Sequence, residues 1–425
     1  MKLSRRAFGT LALGAMAGTG LTATACSGPA SGGGGGGGGA AATGEITFWG
    51  SWVGDQAKQM NELTALFNSS QSDLSVRYVP QQELEQKLLT GLASGQVPDI
   101  VLWDRFQTAL YVPKGALQSI SDRVAEDGVD VSQLYDQAVG EMTVGDQLYG
   151  LPLIVDNRSL FYNEELLDEA GVEPPTTWDE LLTVAEATTK RSGNKLQVSG
   201  FALDDPGLFS MWIRQAGGKM LNDDQQTVAF NSPEGLAVLE FWKQLMDAGV
   251  YERGFGEGGV PFAEKKLAMT YTGPWSFSDY DKVSDLAYGT TQPVAGPGGD
   301  KAAGMGGFGL AIPEGSRNAD GAWAFMKWWC ADPANALEFG KISGQIPANR
   351  TAANDAYYTA DEKYEALVAT MEYATVRPAV AGYSDMEGKG LIPNLEKFLS
   401  GEMGAEEALA ASESMGNQVL AENRD

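Results

Sequence analysis

The sequence predicts an α/β protein built in two domains, and three observations carry that expectation. Strand-like and helix-like segments alternate from Glu45 onward, as βαβ units do. Within Pro98-Asp-Ile-Val-Leu-Trp103, Ile100–Trp103 is a continuous apolar run closed by Asp104, the pattern of a strand buried on both faces of a parallel sheet. Tyr149–Val155 is apolar and extended yet contains Pro152, which a central ladder excludes, so the chain there leaves one sheet to enter another. The 425 residues are enough for two domains with cores of their own.

Each element has its own justification. Glu45-Ile-Thr-Phe-Trp49 reads as a first strand and Gly50–Gly54 as its turn. Asp55–Phe67 is a helix, because Ala57, Met60, Leu63 and Phe67 share one face. Leu74, Val76 and Tyr78 alternate as a half-buried strand, and Glu83–Ala93 follows as a helix with Leu84, Leu88 and Leu92 inside. Thr177-Trp-Asp-Glu180 is a capping box opening a helix to about Lys190. Ser232-Pro-Glu opens another, with Leu236, Leu239, Trp242 and Met246 inward and Gly249 as its stop. Leu267–Tyr271 is a short strand ended by Gly273-Pro274, Tyr288–Val294 and Phe308–Ile312 are strands, and Gly296–Gly309 reads as a glycine-rich loop. Ala322, Phe325, Met326, Trp329 and Cys330 share a helical face, which makes Cys330 a core residue; Trp323, Trp328 and Trp329 belong to the same packing. An acidic helical region from Asp361 closes the chain.

Composition narrows the function. The net charge is −26, which repels phosphate backbones and disfavours nucleic acid as a partner. The chain has no histidine, so Ser-His-Asp and Cys-His catalysis and every His-ligated metal site are excluded. With two cysteines, Cys26 and Cys330, no disulfide within the folded part is expected. No cofactor or metal is expected either.

The amino terminus reads as an address. Residues 1–25 carry Lys2, Arg5 and Arg6 and no acid, and Leu11–Leu21 is apolar but too short to span a bilayer, the layout of a signal peptide. Ser4-Arg-Arg-Ala-Phe8 matches a twin-arginine export signal. Leu21-Thr-Ala-Thr-Ala-Cys26 loosely resembles a lipobox, with its leucine five residues ahead of the cysteine, so Cys26 is the expected lipidation site; ordinary cleavage with Cys26 a bystander is the alternative. Residues 26–44 include the run Gly32–Gly39, which neither buries surface nor holds one conformation and suits a flexible tether. The expected location is the extracytoplasmic face of the cell membrane.

The remaining question is what the folded part holds. Trp275 follows Gly273-Pro274 at the carboxyl end of a strand, the edge where open α/β sheets bind ligands. Its broad apolar face suits a sugar ring, whose C–H groups line its faces and whose hydroxyls line its rim; burial beside a turn is an equally open reading. Four segments together resemble the extracellular solute-binding proteins of sugar-importing ABC transporters: Pro98–Phe106, Tyr149–Pro152 with Leu160–Asn163, Lys266–Met269 with Gly273–Trp275, and Gly306–Pro313.

That resemblance implies a type II, two-lobe periplasmic-binding-protein-like fold with a ligand cleft at a hinge. Lobe 1 would be residues 45–154 and 288–341, and lobe 2 residues 155–287 and 342–425. It implies a monomer that carries a carbohydrate, such as a maltodextrin, to the permease subunits of an ABC importer. The maltodextrin-binding pattern is similar at Trp103, Asp104 and Arg105, with two residues deleted, at Asp156 and Asp205, and at Trp275 with Gly273 before it. Arg105 would donate to the sugar and hold Asp104. The later aromatic cluster that lines long maltodextrin sites has no clear match, and Arg377 and Tyr383 occupy that region. Trp49, Trp52, Asn157, Arg158, Trp212 and Gly307 in the Gly306–Gly309 backbone are further cleft candidates, each equally readable as core or surface residues. Rival readings are a glycerol-phosphate ligand in the same fold, a carboxylate-based glycosidase, and a protein-interaction module. A glycosidase needs two carboxyls flanking the bond, and 56 acids make such pairs easy to find.

Overall fold

A computed structural model describes residues 42–424. The expectations for the signal peptide, for Cys26 and for the glycine run lie outside the described residues. The described chain forms two α/β lobes, each around its own sheet, joined by a third sheet at the hinge.

The first sheet has five strands in the order Leu74–Pro80, Gly44–Gly50, Ile100–Asp104, Phe308–Ala311, Gly150–Pro152. The first three run parallel, and Phe308–Ala311 and Gly150–Pro152 join antiparallel. Pro152 sits on the outermost strand, where its missing N–H breaks no central ladder. Helices Gly54–Ser70 and Ala319–Cys330 bury Met60, Leu63, Phe67, Phe325 and Trp329 into this lobe. Each fully buried large apolar side chain contributes roughly 1.5–3 kcal/mol. Cys330 is buried among them as a free thiol, and burial raises its pKa.

The second sheet runs Tyr288–Thr291, Ser159–Asn163, Leu267–Thr272, Lys195–Phe201, Lys190–Ser192. Lys195–Phe201 and Leu267–Thr272 are parallel, so their carboxyl ends open on one edge. Tyr288–Thr291 pairs antiparallel with Ser159–Asn163, Tyr288 opposite Asn163. This corrects the expected lobe boundary at 288: the strand completes the second sheet, and the chain returns to the first lobe only near Phe308. The cap at Thr177 forms with a shift. Its hydroxyl accepts from the Glu180 N–H at 3.3 Å, while the Glu180 carboxylate reaches back to the N–H of Thr176 at 2.7 Å instead of that of Thr177. The carboxyl-terminal helices pack Leu395, Leu409 and Leu420 into the second-lobe core.

The hinge sheet orders Ile346–Pro347, Ile154–Asn157, Ala303–Gly306 and Ala374–Thr375. Ile154–Asn157 and Ala303–Gly306 run antiparallel, Gly306 opposite Asp156. Part of the expected glycine-rich loop is therefore a hinge strand, which the small side chains of Ala303, Gly304 and Gly306 had disguised. Across the cleft, Lys282 Nζ of the second lobe pairs with Asp55 Oδ2 of the first at 3.1 Å, and the Arg377 guanidinium lies 4.7 Å over the Phe106 ring.

Candidate functional site

Two chambers meet at the hinge and share Arg158 and Asp205. The inner one, about 70 Å³, is lined by Asp156, Gly306, Arg214, Thr375, Arg377 and Tyr383. The outer one, about 630 Å³, is lined by Trp275, Tyr251, Phe255, Tyr271, Tyr280 and Asp204. That volume falls within the roughly 300–1,000 Å³ of small-molecule sites.

Trp275 owes its position to local sequence. The apolar strand Leu267–Thr272 is buried along almost its whole length, and Gly273 leaves it in extended conformation. Pro274 then starts a single helical turn, Pro274–Ser276, as its fixed φ favours. A Cβ on Gly273 would fall 2.1 Å from Trp275 Cζ3, so only glycine lets the indole lie this close to the backbone. Trp275 is half-buried and is absent from the core clusters, with the Arg158 guanidinium carbon 4.3 Å from its ring centroid.

The inner chamber is rich in charge, and most of that charge is paired. Arg158 Nη1 lies 3.7 Å from Asp156 Oδ1. Arg377 Nε donates to Glu387 Oε2 at 2.7 Å, and Glu387 stands in a π-helical turn, Met386–Leu391. Arg214 has no carboxylate partner among the described residues; it donates to Thr375 Oγ1 and to the carbonyl of Val376. The Tyr383 hydroxyl is buried without a hydrogen-bond partner among the described residues. Asp205 borders both chambers while its carboxylate accepts from the Gly207 N–H at 3.0 Å.

Asp104 ends the first-lobe strand Ile100–Asp104 and is not among the residues that line either chamber. Burial, reinforced by the negative charge of Asp156, pushes its carboxyl up to about 8. At neutral pH it therefore holds a proton and can donate a hydrogen bond. Its ordinary value is 3.8, so between about 4 and 8 the folded chain holds a proton that the unfolded chain has lost, and stability falls as pH rises through that window. Asp104→Asn imitates the protonated form. Urea melts without ligand should show this variant gaining stability over the parent from pH 5 to pH 8; a constant difference would contradict the raised value.

Several expected site residues serve the scaffold instead. Trp103 is fully buried, its Nε1 donating to Thr108 Oγ1 at 3.2 Å, because both faces of its strand are covered. Trp212 is buried in the second-lobe core, 5.4 Å from the Trp178 ring. Trp52 is buried edge-on against Phe308 at 5.5 Å. Trp49 shares a strand face with Glu45 and Thr47 and lines a surface groove with Asp99 and Arg317, away from both chambers. Asn157 is buried and donates from Nδ2 to the Leu367 carbonyl at 2.5 Å.

Arg105 is the largest correction. It has no exposure, and its Nε donates to Glu141 Oε2 at 3.0 Å. The rest of its guanidinium donates to the carbonyls of Ile154, Gly306 and Phe308. It thus ties the two principal hinge strands to the first lobe and has no donor turned to a ligand. Gly307 completes this arrangement: its φ of +125° and a Cβ that would lie 2.6 Å from Arg105 Nη1 leave room for glycine alone.

The sequence reading missed Arg214, Tyr251, Phe255 and Tyr280. Arg214 is the lone charge on an otherwise buried apolar helix, Phe209–Gln215, and that isolation was a usable signal. Tyr251 and Phe255 stand in a stretch where Gly254, Gly256 and Gly258 alternate at positive φ, a composition that marks an irregular wall.

Two α/β lobes around a hinge sheet, with a polar and aromatic cleft at the crossing, define a hinged solute-binding protein. The chain belongs to the bacterial extracellular solute-binding protein family, which it matches over residues 62–366. It is similar to a cyclic alpha-maltosyl-1,6-maltose binding protein from Arthrobacter globiformis, 27% identical with a TM-score of 0.76, covering 89% of this chain and 100% of that one. It is also similar to the diacetylchitobiose binding protein of Streptomyces coelicolor, 26% identical over 78% of this chain and 80% of the relative. An sn-glycerol-3-phosphate-binding periplasmic protein of Shigella dysenteriae is 26% identical over 72% and 75% of the two chains. These relatives are named as binding proteins, not enzymes. Among the described residues, no helix is long and apolar enough to cross a membrane.

Proposed function

We propose that this chain captures an oligosaccharide in the interlobe cleft and, held to the membrane by a lipid on Cys26, delivers it to an ABC importer. The observation that carries the reading is the junction of an aromatic chamber with a charged, polar one, Trp275 on one side of Arg158 and Asp205, and Asp156 on the other. Carboxylates accept charge-assisted bonds from vicinal hydroxyls, and an indole covers the apolar face of the same ring. Asp104, Arg377 and Tyr383 would supply further polar partners. Closure about the hinge strands would bury the sugar.

A glycerol-phosphate ligand is the second reading, supported by the Shigella relative and by three arginines at the inner chamber. Two of those arginines already face carboxylates, which favours a neutral ligand. A thermal-shift screen separates the readings. An oligosaccharide at 100 times its Kd should add about 2.7 kcal/mol of stability and raise the midpoint. A rise with sn-glycerol 3-phosphate and none with maltotriose, diacetylchitobiose or their longer homologues would select the second reading.

A further inference from the structure

We propose that Arg158 occupies, within the protein itself, the place on Trp275 where a sugar ring stacks, and so acts as an internal competitor that sets affinity. The proposal rests on the oligosaccharide reading above.

Three observations carry it. The Arg158 guanidinium carbon lies 4.3 Å over the Trp275 ring, the distance of a cation–π stack. A planar guanidinium covers an indole face much as a pyranose would. The Cζ3–Cη2 edge of the indole lies beside Gly273, where a Cβ would fall 2.1 and 2.4 Å from those atoms, and Trp275 and Arg158 line the outer chamber together. Second, the same guanidinium stands 3.7 Å from Asp156 Oδ1. One side chain thus blocks both the stacking surface and the nearest hydroxyl acceptor. Third, Arg158 is loosely held: its side chain is 26% exposed and makes no side-chain hydrogen bond among the described residues. Because it lines both chambers, its departure would join them into one trench.

The energetics set the direction of the effect. A partly exposed cation–π contact and a long, partly exposed ion pair are both weak, so a ligand can displace Arg158, though at a cost in affinity. Removing the side chain removes that cost. A residue that bound the sugar directly would act in the opposite sense.

The test uses Arg158→Ala and Arg158→Lys in the full chain, titrated with maltotriose and diacetylchitobiose. Arg158→Ala should bind about 3- to 10-fold tighter than the parent, the size of the two weak contacts it deletes. Arg158→Lys should fall between, since an ammonium does not lie flat on the ring. A ligand-independent arm follows acrylamide quenching of the Trp275 emission, taken as the difference from Trp275→Phe made in each background. Quenching should rise in Arg158→Ala as the ring is uncovered. Unchanged or weaker sugar binding by Arg158→Ala overturns the proposal, and so does unchanged quenching. If neither saccharide binds the parent or the variant, the oligosaccharide reading fails together with the competition, an outcome distinct from a parent that binds and a variant that binds less.

Discussion

Trp275→Ala should weaken oligosaccharide binding by about 2–4 kcal/mol, the range of an aromatic hot spot truncated to alanine. That is between about 30- and 1,000-fold in Kd. The loss combines the apolar area that ring and indole take from water with the shielding that the indole gives to neighbouring hydroxyl–carboxylate bonds. The position of Trp275 predicts little change in folding, since the ring stands outside the core clusters against a chamber of about 630 Å³. A packing tryptophan behaves differently: truncation costs about 3–5 kcal/mol of stability. Calorimetric titration paired with denaturant melts distinguishes the two, and near-normal affinity with a large drop in stability would make Trp275 a core residue.

Arg105→Met should produce the largest change in stability, about 3–5 kcal/mol, the cost of breaking a buried ion pair from one side. The variant leaves the Glu141 carboxylate and the carbonyls of Ile154 and Gly306 without their shared donor. Burial already pushes the Glu141 carboxyl up to about 7 against the pull of Arg105, so without the arginine it will fold only as the neutral acid. Arg105→Lys should fail to rescue, because an ammonium cannot fork to Glu141 and three carbonyls at once. Arg105→Met with Glu141→Gln should recover part of the loss, the charge being gone. Equilibrium unfolding of the three variants measures this; wild-type stability in Arg105→Met would return Arg105 to the list of ligand contacts.

The contrast between these two residues shows what the sequence made legible. Trp275, Asp156 and Arg377 reach the chambers because a strand end and the hinge strands place them there, and strand ends can be read from apolar runs stopped by glycine and proline; Asp205 and Tyr383 instead open short helical turns, Pro206–Leu208 and Tyr383–Asp385. Trp103 and Trp212 could not be sorted the same way. Ile100–Trp103 is buried on both faces, so alternation carries no information about which side chain meets a ligand. Trp212 lies on a helix packed on most sides by Phe201, Phe241, Trp242 and Tyr271. Arg105 depends on Glu141, 36 residues away, and on carbonyls as distant as Phe308. No local pattern announces such a partnership. The hinge strand Ala303–Gly306 escaped notice for a related reason: Gly306 fits beneath Asp156, and Ala303, Gly304 and Gly306 carry no β signal of their own.

The two-lobe α/β architecture itself was legible, because it rests on long apolar strands alternating with amphipathic helices. The edge position of Pro152 was legible from one residue's missing N–H. The lobe boundary near Tyr288 was not, since a four-residue strand pairs equally well in either sheet until its partner is known.

The most direct test of the account is calorimetric titration of the protein with the saccharide that most raises its melting midpoint, with sn-glycerol 3-phosphate as the comparison. The account predicts saturable binding of one oligosaccharide per chain, with a negative heat-capacity change from the apolar surface buried on the indole, and no turnover of the bound sugar. Saturable heat with sn-glycerol 3-phosphate and none with any saccharide, or steady heat from cleavage of the oligosaccharide, would contradict it.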